Sequence, residues 1–176
     1  MKGFSGKKAA EITGGEVCGA LTDKPLYSIV TDSRAVKEGC LFAAIPGARV
    51  DGHSFIPAAA SAGASCVLCE RFTESDIPQI RVENVPAALR LLAASYRASF
   101  DDIPVVGITG SVGKTTAKEM IASVLSAHCP TLKTEKNLNN ELGVPFTLFR
   151  LREGHRAAVV EMGISNFGEM TRLAEM

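Results

Sequence analysis

The strongest indication of the fold of this chain is a predicted strand, a glycine-rich turn and a helix that follow one another directly. Residues 105–109 read VVGIT, residues 110–114 read GSVGK, and residues 115–128 have the pattern of a helix. Gly110 and Gly113 allow positive φ angles, so successive amide N–H groups can turn toward an anion. The helix that follows directs the positive end of its dipole at the same anion. The sequence therefore predicts a phosphate-binding loop between a buried strand and a helix.

Two side chains complete the predicted loop. Lys114 is a cation that can reach the β and γ oxygens of ATP, and Thr115 offers a hydroxyl to Mg²⁺. The predicted ATP contacts are consecutive in the chain: Gly110, Ser111, Val112, Gly113, Lys114, Thr115 and Thr116. One departure is Ile108, which stands where the common G-x-x-x-x-G-K-[ST] pattern has glycine. A glycine-rich turn that only exposes a lysine is the alternative interpretation.

A carboxylate follows the most apolar strand of the chain. Glu161 ends the segment AAVVE at residues 157–161. Ligands of open parallel sheets bind beyond the carboxyl ends of the strands. A carboxylate at that point could hold Mg²⁺ directly or through water. The alternative is a strand-end glutamate in a surface hydrogen bond.

Strands and helices alternate along the whole chain, which predicts an α/β fold, and the alternation after residue 104 predicts a parallel sheet with helices on its faces. Before residue 83 we expect two helices, at 5–12 and at 55–62, the second capped by Ser54. We also expect strands near 26–30, 40–45, 65–69 and 79–82. After Pro86 we expect a helix, the phosphate loop, a strand at 130–133 and a helical stretch after Asn140.

The domain prediction follows from this order. Residues 1–83 form a small N-terminal α/β substrate domain, and residues 84–176 form the first part of a P-loop ATP-binding domain with a parallel sheet. The sequence stops within a helix that starts near Gly168, and about three strands make a small core. We therefore expect the chain to be a fragment of a longer protein.

Composition excludes several classes of protein. The chain has 19 basic residues, lysine plus arginine, and 19 acidic residues, aspartate plus glutamate. No net charge therefore attracts nucleic acid or an anionic membrane. No stretch approaches the roughly 20 apolar residues of a membrane span, and none resembles a signal peptide. We expect a cytoplasmic protein that inserts into no membrane and binds no nucleic acid.

The cysteines point to packing. Their number is five, which is odd and typical of reduced thiols in a cytosolic protein. Cys66 and Cys69 form a C-x-x-C pair, but they lie in the apolar run SCVLCE, and residues three apart on a strand face opposite sides. Core packing is favoured over a metal or redox role.

Several segments together resemble the Mur ligase family, the ATP-dependent amide-forming enzymes of peptidoglycan precursor synthesis. The loop spacing G-x-x-G-x-x-G-K-T-T is similar to theirs. The segments that resemble the MurF type lie in order over nearly the whole chain: TDSR at 31–34, GCLFA at 39–43, PG at 46–47, DGH at 51–53, KEM at 118–120, NLNNELGVP at 137–145, and EMG through GE at 161–169.

The resemblance implies a three-domain, monomeric enzyme that adds D-alanyl-D-alanine to UDP-N-acetylmuramoyl-tripeptide. The first domain holds the UDP part of the substrate, the second holds ATP, and a third, absent here, helps to bind the dipeptide. The substrate carboxylate attacks the γ-phosphate of ATP, and the resulting acyl phosphate is attacked by the amine. Two anions must approach, so Lys114 and Mg²⁺ are needed to neutralise charge. We expect the isolated chain to have negligible ligase activity.

The resemblance also assigns roles to residues. It makes Lys114 the catalytic residue and makes Thr115 and Glu161 the Mg²⁺ ligands. Asp32, Ser33 and Arg34 match the uridine-nucleotide motif, and Ser33 is the first choice for a direct contact. From the residues alone, this segment is a polar turn in which Arg34 could pair with a diphosphate or Asp32 could simply hold the turn.

A second polar segment surrounds three asparagines. The amides of Asn137, Asn139 and Asn140 can donate and accept, and the resemblance makes this segment face the muramoyl substrate and the phosphates, with Asn137 and Asn140 as the assigned contacts. The alternative is a helix start capped by Asn139 or Asn140, and both can hold at once. Lys136 stands where the family often has glycine. His53 could act as a base, but nothing near it in the sequence completes a nucleophile–base pair, so structural hydrogen bonding is favoured.

Other functions remain open at this level. Within the superfamily, the ligase that adds the third peptide residue and folylpolyglutamate synthetase are siblings, and the NLNNELGVP segment with KEM favours the MurF type. A nucleotide-binding module without catalysis and an unrelated P-loop kinase are the other classes.

Overall fold

A computed structural model describes residues 1, 3–47 and 50–176 of the chain. The chain divides into two compact units, residues 1–92 and 93–176. The division falls inside a helix, nine residues beyond the predicted domain boundary at residue 83, which itself stays a prediction. Among the described residues, every helix is too short or too polar to cross a membrane.

The first unit is built on a five-stranded sheet. Its elements, in chain order, are α1 (Gly6–Thr13), β1 (Glu16–Cys18), β2 (Ser28–Val30), β3 (Cys40–Ala43), α2 (Ile56–Ser61), β4 (Cys66–Cys69), β5 (Gln79–Arg81) and the start of α3 (Val85–Ala98). The strand order is β1-β5-β4-β3-β2, and β2 to β5 are parallel. The α/β prediction is confirmed for this unit, and its parallel strand pairing is a finding of the structure.

One strand of this sheet was not predicted. β1 pairs antiparallel with β5, with Val17 opposite Ile80. All three residues of β1 are exposed, so they show no alternation of apolar and polar side chains. Only its backbone hydrogen bonds define it, and the sequence carries no signal for those.

The core of the first unit lies between α2 and the sheet, where Phe42 and Val67 are completely buried. Both cysteines of the C-x-x-C pair are buried free thiols, but only Cys69 belongs to this core, whereas Cys66 lies beside Gly6 of α1. Burial raises the pKa of Cys66 to about 12 and that of Cys69 to about 11. Burial of both thiols agrees with the packing role. The described residues contain no group of three or more His, Cys, Asp and Glu side chains that could hold a metal ion.

The predicted cap of α2 is wrong. The chain enters this helix through a 3₁₀ turn, Gly52–Phe55, and the Asp51 carboxylate accepts the His53 N–H at 2.9 Å. Ser54 instead donates its hydroxyl to the Asp51 carbonyl oxygen at 2.7 Å. Because the extra turn precedes α2, the capping side chain lies upstream of Ser54.

The second unit carries a three-stranded parallel sheet with helices beside it. After the end of α3 its elements are β6 (Val105–Ile108), α4 (Lys114–Ser126), β7 (Thr131–Lys133), α5 (Gly143–Leu148), β8 (Ala157–Glu161) and α6 (Glu169–Ala174). The strand order is β6-β8-β7. Every residue of the central strand β8 is buried. The predicted strand–loop–helix and its parallel sheet are confirmed.

Ile108 departs from the common phosphate-loop pattern for a packing reason. Its side chain is 8% exposed and lies in a cluster with Ala122 of α4 and Val159 of β8. The last residue of β6 therefore joins the strand to the helix that follows the loop. Glycine at this position would remove that apolar contact.

His53 has a structural role in the first unit. Its side chain is 1% exposed, and Nδ1 lies 2.6 Å from Asp51 Oδ1. Nε2 accepts the Glu70 N–H at 2.9 Å, so the ring proton is on Nδ1 and is donated to Asp51. Both ring nitrogens are thus used in structural hydrogen bonds, as expected: Nδ1 fixes the turn before α2 to Asp51, and Nε2 joins that turn to the residue after β4.

We predict that His53→Ala destabilises the first unit by about 2 kcal/mol, because the Glu70 N–H loses its buried acceptor. Urea unfolding followed by circular dichroism measures the loss, and exchange of the Glu70 amide proton should accelerate by on the order of tenfold. His128→Ala is the control, since His128 is exposed. Equal stability of the two variants would contradict the structural role of His53.

Candidate functional site

The carboxyl ends of the three strands of the second unit meet at one edge of the sheet. Ile108 at the end of β6 is opposite Glu161 at the end of β8. Thr134, which follows β7, accepts the Glu161 N–H on its hydroxyl at 3.0 Å and donates its own N–H to the Val159 carbonyl at 3.0 Å. Residues far apart in the sequence therefore converge where the glycine-rich loop begins.

The loop has the backbone shape that the sequence predicts. Gly110 has a φ of 150° and Gly113 a φ of 75°. Gly113 is the N-cap of α4 and supplies no side chain to bond the first-turn N–H groups. These amides, at the positive end of a 13-residue helix, can therefore bind an anion.

Lys114 lies folded across the loop. Its Nζ donates to the Gly110 carbonyl oxygen at 2.6 Å. The bond is exposed, so the ammonium can exchange this carbonyl for a phosphate oxygen without losing a buried partner. The position is consistent with the predicted phosphate contact.

The two predicted metal ligands, 46 residues apart, are brought together. Thr115 Oγ1 lies 3.2 Å from Glu161 Oε1 and 3.1 Å from Oε2. Glu161 is 2% exposed, which contradicts the alternative of a surface hydrogen bond. Thr115 is exposed, so the hydroxyl of this pair is reachable from solvent. Hard oxygen ligands of this kind suit Mg²⁺, which usually takes one or two protein ligands beside phosphates and water.

Two further residues hold Glu161, and the sequence analysis did not assign them to the site. Asn139 donates Nδ2–H to Glu161 Oε1 at 2.8 Å. Lys118 has a side chain that is 3% exposed, and its Nζ lies 3.6 Å from Glu161 Oε2. A signal for Lys118 existed, because it follows Thr115 by three residues on one face of α4. No spacing could identify Asn139, since a loop places it.

The other asparagines occupy different positions. Asn140 Oδ1 accepts the N–H of Gly143, the first residue of α5, at 2.7 Å. Asn140 thus bonds the first N–H of α5 in the manner of a cap, although the residue at the N-cap position itself is Leu142. Asn137 is exposed in the same loop, and its predicted substrate contact, like that of Asn140, stays a prediction. Lys136 has a φ of 50°, the left-handed conformation in which glycine is unstrained.

The predicted uridine motif forms a compact turn in the first unit. Asp32 caps a 3₁₀ turn over Ser33–Ala35, and its carboxylate pairs with both Nε and Nη2 of Arg34 at 2.7–3.2 Å. The Arg34 guanidinium lowers the pKa of Asp32 to about 2. The motif lines an open groove of about 480 Å³ together with Val50 and Phe55. The turn held by Asp32 is thus real, and a nucleotide contact of the same residues stays a prediction.

Two family models match consecutive parts of the chain. The catalytic domain of the Mur ligase family matches residues 25–97, and the Mur ligase middle domain matches residues 108–176. The first match contains the Asp32–Arg34 turn, and the second contains the phosphate loop and Glu161.

Individual relatives agree with these matches. The UDP-N-acetylmuramoyl-tripeptide–D-alanyl-D-alanine ligase of Synechocystis is 45% identical over 157 residues, which are 88% of this chain and 34% of the relative. A crystal structure of MurF from Acinetobacter baumannii has a TM-score of 0.92 and 36% identity, covering 97% of this chain and 38% of its own. This chain thus spans about a third of their length.

A third relative was solved with a nucleotide. The crystal structure of MurF ligase from Thermotoga maritima in complex with ADP has a TM-score of 0.77 and 37% identity, covering 84% of this chain and 34% of its own. Both family matches and all three relatives agree, so the chain belongs to the Mur ligase family and, within it, to the MurF type.

Proposed function

We propose that this chain is part of an ATP-dependent ligase that joins D-alanyl-D-alanine to UDP-N-acetylmuramoyl-tripeptide. The observation that carries the proposal is the placement of Thr115 and Glu161, 3.1 Å apart, beside a glycine-rich loop at the carboxyl edge of a parallel sheet. The 45% identity to a ligase of that name supports the choice of substrates. The chain covers about a third of that relative, so the activity is proposed for the complete enzyme.

ATP is proposed to bind the second unit through residues 110–116. The amides at the start of α4 receive the phosphates, and Lys114 leaves the Gly110 carbonyl to pair with them. The structure of the Thermotoga relative, which was solved in complex with ADP and resembles 84% of this chain, supports a nucleotide site.

Mg²⁺ fits the oxygen donors of the site, and Thr115 with Glu161 would hold it. When bound, the ion supplies positive charge that neutralises the phosphates. Asn139 contributes by fixing Glu161 Oε1 through its amide at 2.8 Å. Thr134 fixes the backbone of the same residue by accepting its N–H at 3.0 Å. The carboxylate is therefore positioned before any ligand arrives.

The proposed reaction activates a carboxylate. The terminal carboxylate of the tripeptide attacks the γ-phosphate of ATP, ADP leaves, and an acyl phosphate results. The amine of D-alanyl-D-alanine then attacks the acyl carbon, and phosphate departs. Lys114 reduces the repulsion between the two reacting anions, and the helix dipole of α4 acts in the same direction.

The first unit is proposed to hold the UDP part of the substrate. Arg34 has a side chain that is 89% exposed, so it can offer N–H groups to a diphosphate while Asp32 keeps it in place. Ser33 lies between them and provides a hydroxyl. Both substrates are small soluble molecules, which supports a cytoplasmic location, and a monomer is proposed for the complete enzyme.

We predict that Lys114→Ala weakens binding of ATP·Mg²⁺ by roughly 10- to 100-fold, the value of one charge-assisted hydrogen bond. Calorimetry with the 176-residue chain measures this. Arg34→Ala is the matched control and should bind ATP·Mg²⁺ as the parent does. Unchanged affinity of Lys114→Ala would favour the alternative of a glycine-rich turn that only exposes a lysine.

We predict that Arg34→Ala weakens binding of UDP-N-acetylmuramoyl-tripeptide by about tenfold or more, because a diphosphate partner is lost. Lys37→Ala removes an exposed cation three residues along the same unit and should leave the affinity unchanged. Equal effects of the two substitutions would mean that only the general charge of the surface matters, and the motif would lose its assigned role.

The Asp32–Arg34 pair also predicts a pH dependence. The folded-state pKa of Asp32, about 2, is below its ordinary value of 3.8, so the pair contributes to stability above pH 3.8 and that contribution disappears as the pH falls through 2. In Arg34→Ala the pKa should rise toward 3.8. Carbon-13 NMR of the carboxyl group measures both values, and an Asp32 pKa that does not change on removal of Arg34 would contradict the pairing.

A further inference from the structure

The buried lysine of α4 has no part in the phosphate loop. Lys118 follows Thr115 by one helical turn, and its side chain is 3% exposed. Lysine is rarely so buried unless an anion accompanies it. Here two carboxylates do: Glu161 Oε2 at 3.6 Å and Glu119 Oε1 at 3.2 Å.

Glu161 needs a cation as much as Lys118 needs an anion. Its carboxylate is 3% exposed, and the two side chains that donate to it, Thr115 and Asn139, are neutral. Neutral donors orient a carboxylate but leave its charge unbalanced, and an unbalanced buried charge costs several kcal/mol. In the described part of the chain, Lys118 is the cation that pairs with this group.

Lys118 is itself held from the other side. Glu119 bridges the two lysines, since its Oε2 lies 2.5 Å from Lys133 Nζ while its Oε1 contacts Lys118. The side chains of Glu119 and Lys133 are 48% and 44% exposed. Charges therefore alternate from the surface inward, Lys133, Glu119, Lys118 and Glu161, and the position of the buried ammonium is fixed at both ends.

We propose that Lys118 is a positioning residue that serves as the built-in counter-ion of Glu161 while the metal site is empty. It keeps the carboxylate paired and directed toward Thr115, so the oxygen donors are in place before a divalent cation arrives. The inference rests on the proposed function in one respect, the assignment of Glu161 as a metal ligand.

This arrangement has a consequence for metal binding. An ammonium 3.6 Å from the ligand carboxylate repels a divalent cation that arrives alone. A cation that arrives with a nucleotide brings phosphate charges of opposite sign, and the repulsion is offset. Lys118 thereby couples metal binding to nucleotide binding, and it does so without touching either one.

The test compares Lys118→Met, Glu161→Gln and the double variant with the parent, all without nucleotide. Thermal unfolding is followed by circular dichroism at increasing Mn²⁺, and free Mn²⁺ is counted by electron paramagnetic resonance. Lys133→Met is the matched control, because Lys133 contacts Glu119 and belongs to the exposed end of the same series of charges.

We expect Lys118→Met to lower Tm by roughly 10 °C or more, the usual effect of leaving one member of a buried pair alone. Mn²⁺ should restore at least half of that loss and should bind Lys118→Met on the order of tenfold more tightly than the parent. Adding Glu161→Gln should restore Tm without any metal. Lys133→Met should respond to Mn²⁺ as the parent does.

Three results would overturn the inference. One is a Tm of Lys118→Met equal to that of the parent. Another is a loss of Tm that neither Mn²⁺ nor Glu161→Gln restores, since Lys118 would then act by packing alone. The third is a Tm that Glu161→Gln restores and Mn²⁺ does not, because Lys118 would then balance the carboxylate without any relation to metal binding. Failure of the proposed function is seen separately, in the binding of ATP·Mg²⁺ by the parent and Lys114→Ala.

Discussion

The parallel pairing of β6 with β8 is the constraint on which the second unit depends. It sets Ile108 beside Glu161, so the loop that leaves β6 begins next to the carboxylate that ends β8. A shift of one residue along either strand would turn Glu161 to the other face of the sheet, away from Thr115. Because β8 is buried along its whole length, its apolar side chains hold that register. The phosphate loop and the two proposed metal ligands thus share one edge through backbone pairing.

The charged groups of the two units differ in their exposure to solvent. In the second unit, the Glu161 carboxylate is enclosed and depends on Lys118, Asn139 and Thr115. In the first unit, the Asp32–Arg34 pair is exposed and contributes geometry more than stability. A ligand that binds at the exposed turn meets preformed but solvated groups, whereas one that binds at Glu161 meets a site whose charge is already balanced within the protein.

Several elements and site residues of this structure could be predicted from the sequence, because they lie next to one another in the chain. The loop was recognised because its glycines, Lys114 and Thr115 are adjacent in the chain, and β8 because it is continuously apolar. The first strand was missed because all its residues are exposed and only its hydrogen bonds define it. Ser54 was misassigned because a 3₁₀ turn shifts the cap to Asp51. Asn139 was missed because a loop of several asparagines offers no periodicity that tells which one points inward.

Most of the helices and strands, the glycine-rich loop and the side-chain types at the site follow from the sequence alone. Those properties arise from neighbours in the chain, where backbone preference and side-chain spacing act directly. Only the tertiary structure decided that Glu161 is buried, that Asn139 rather than Asn140 supports it, and that Lys118 balances its charge. Burial and ion pairing depend on residues that are tens of positions apart in the sequence and that the sheet brings together. The spacing of residues along the chain does not tell which of them come into contact.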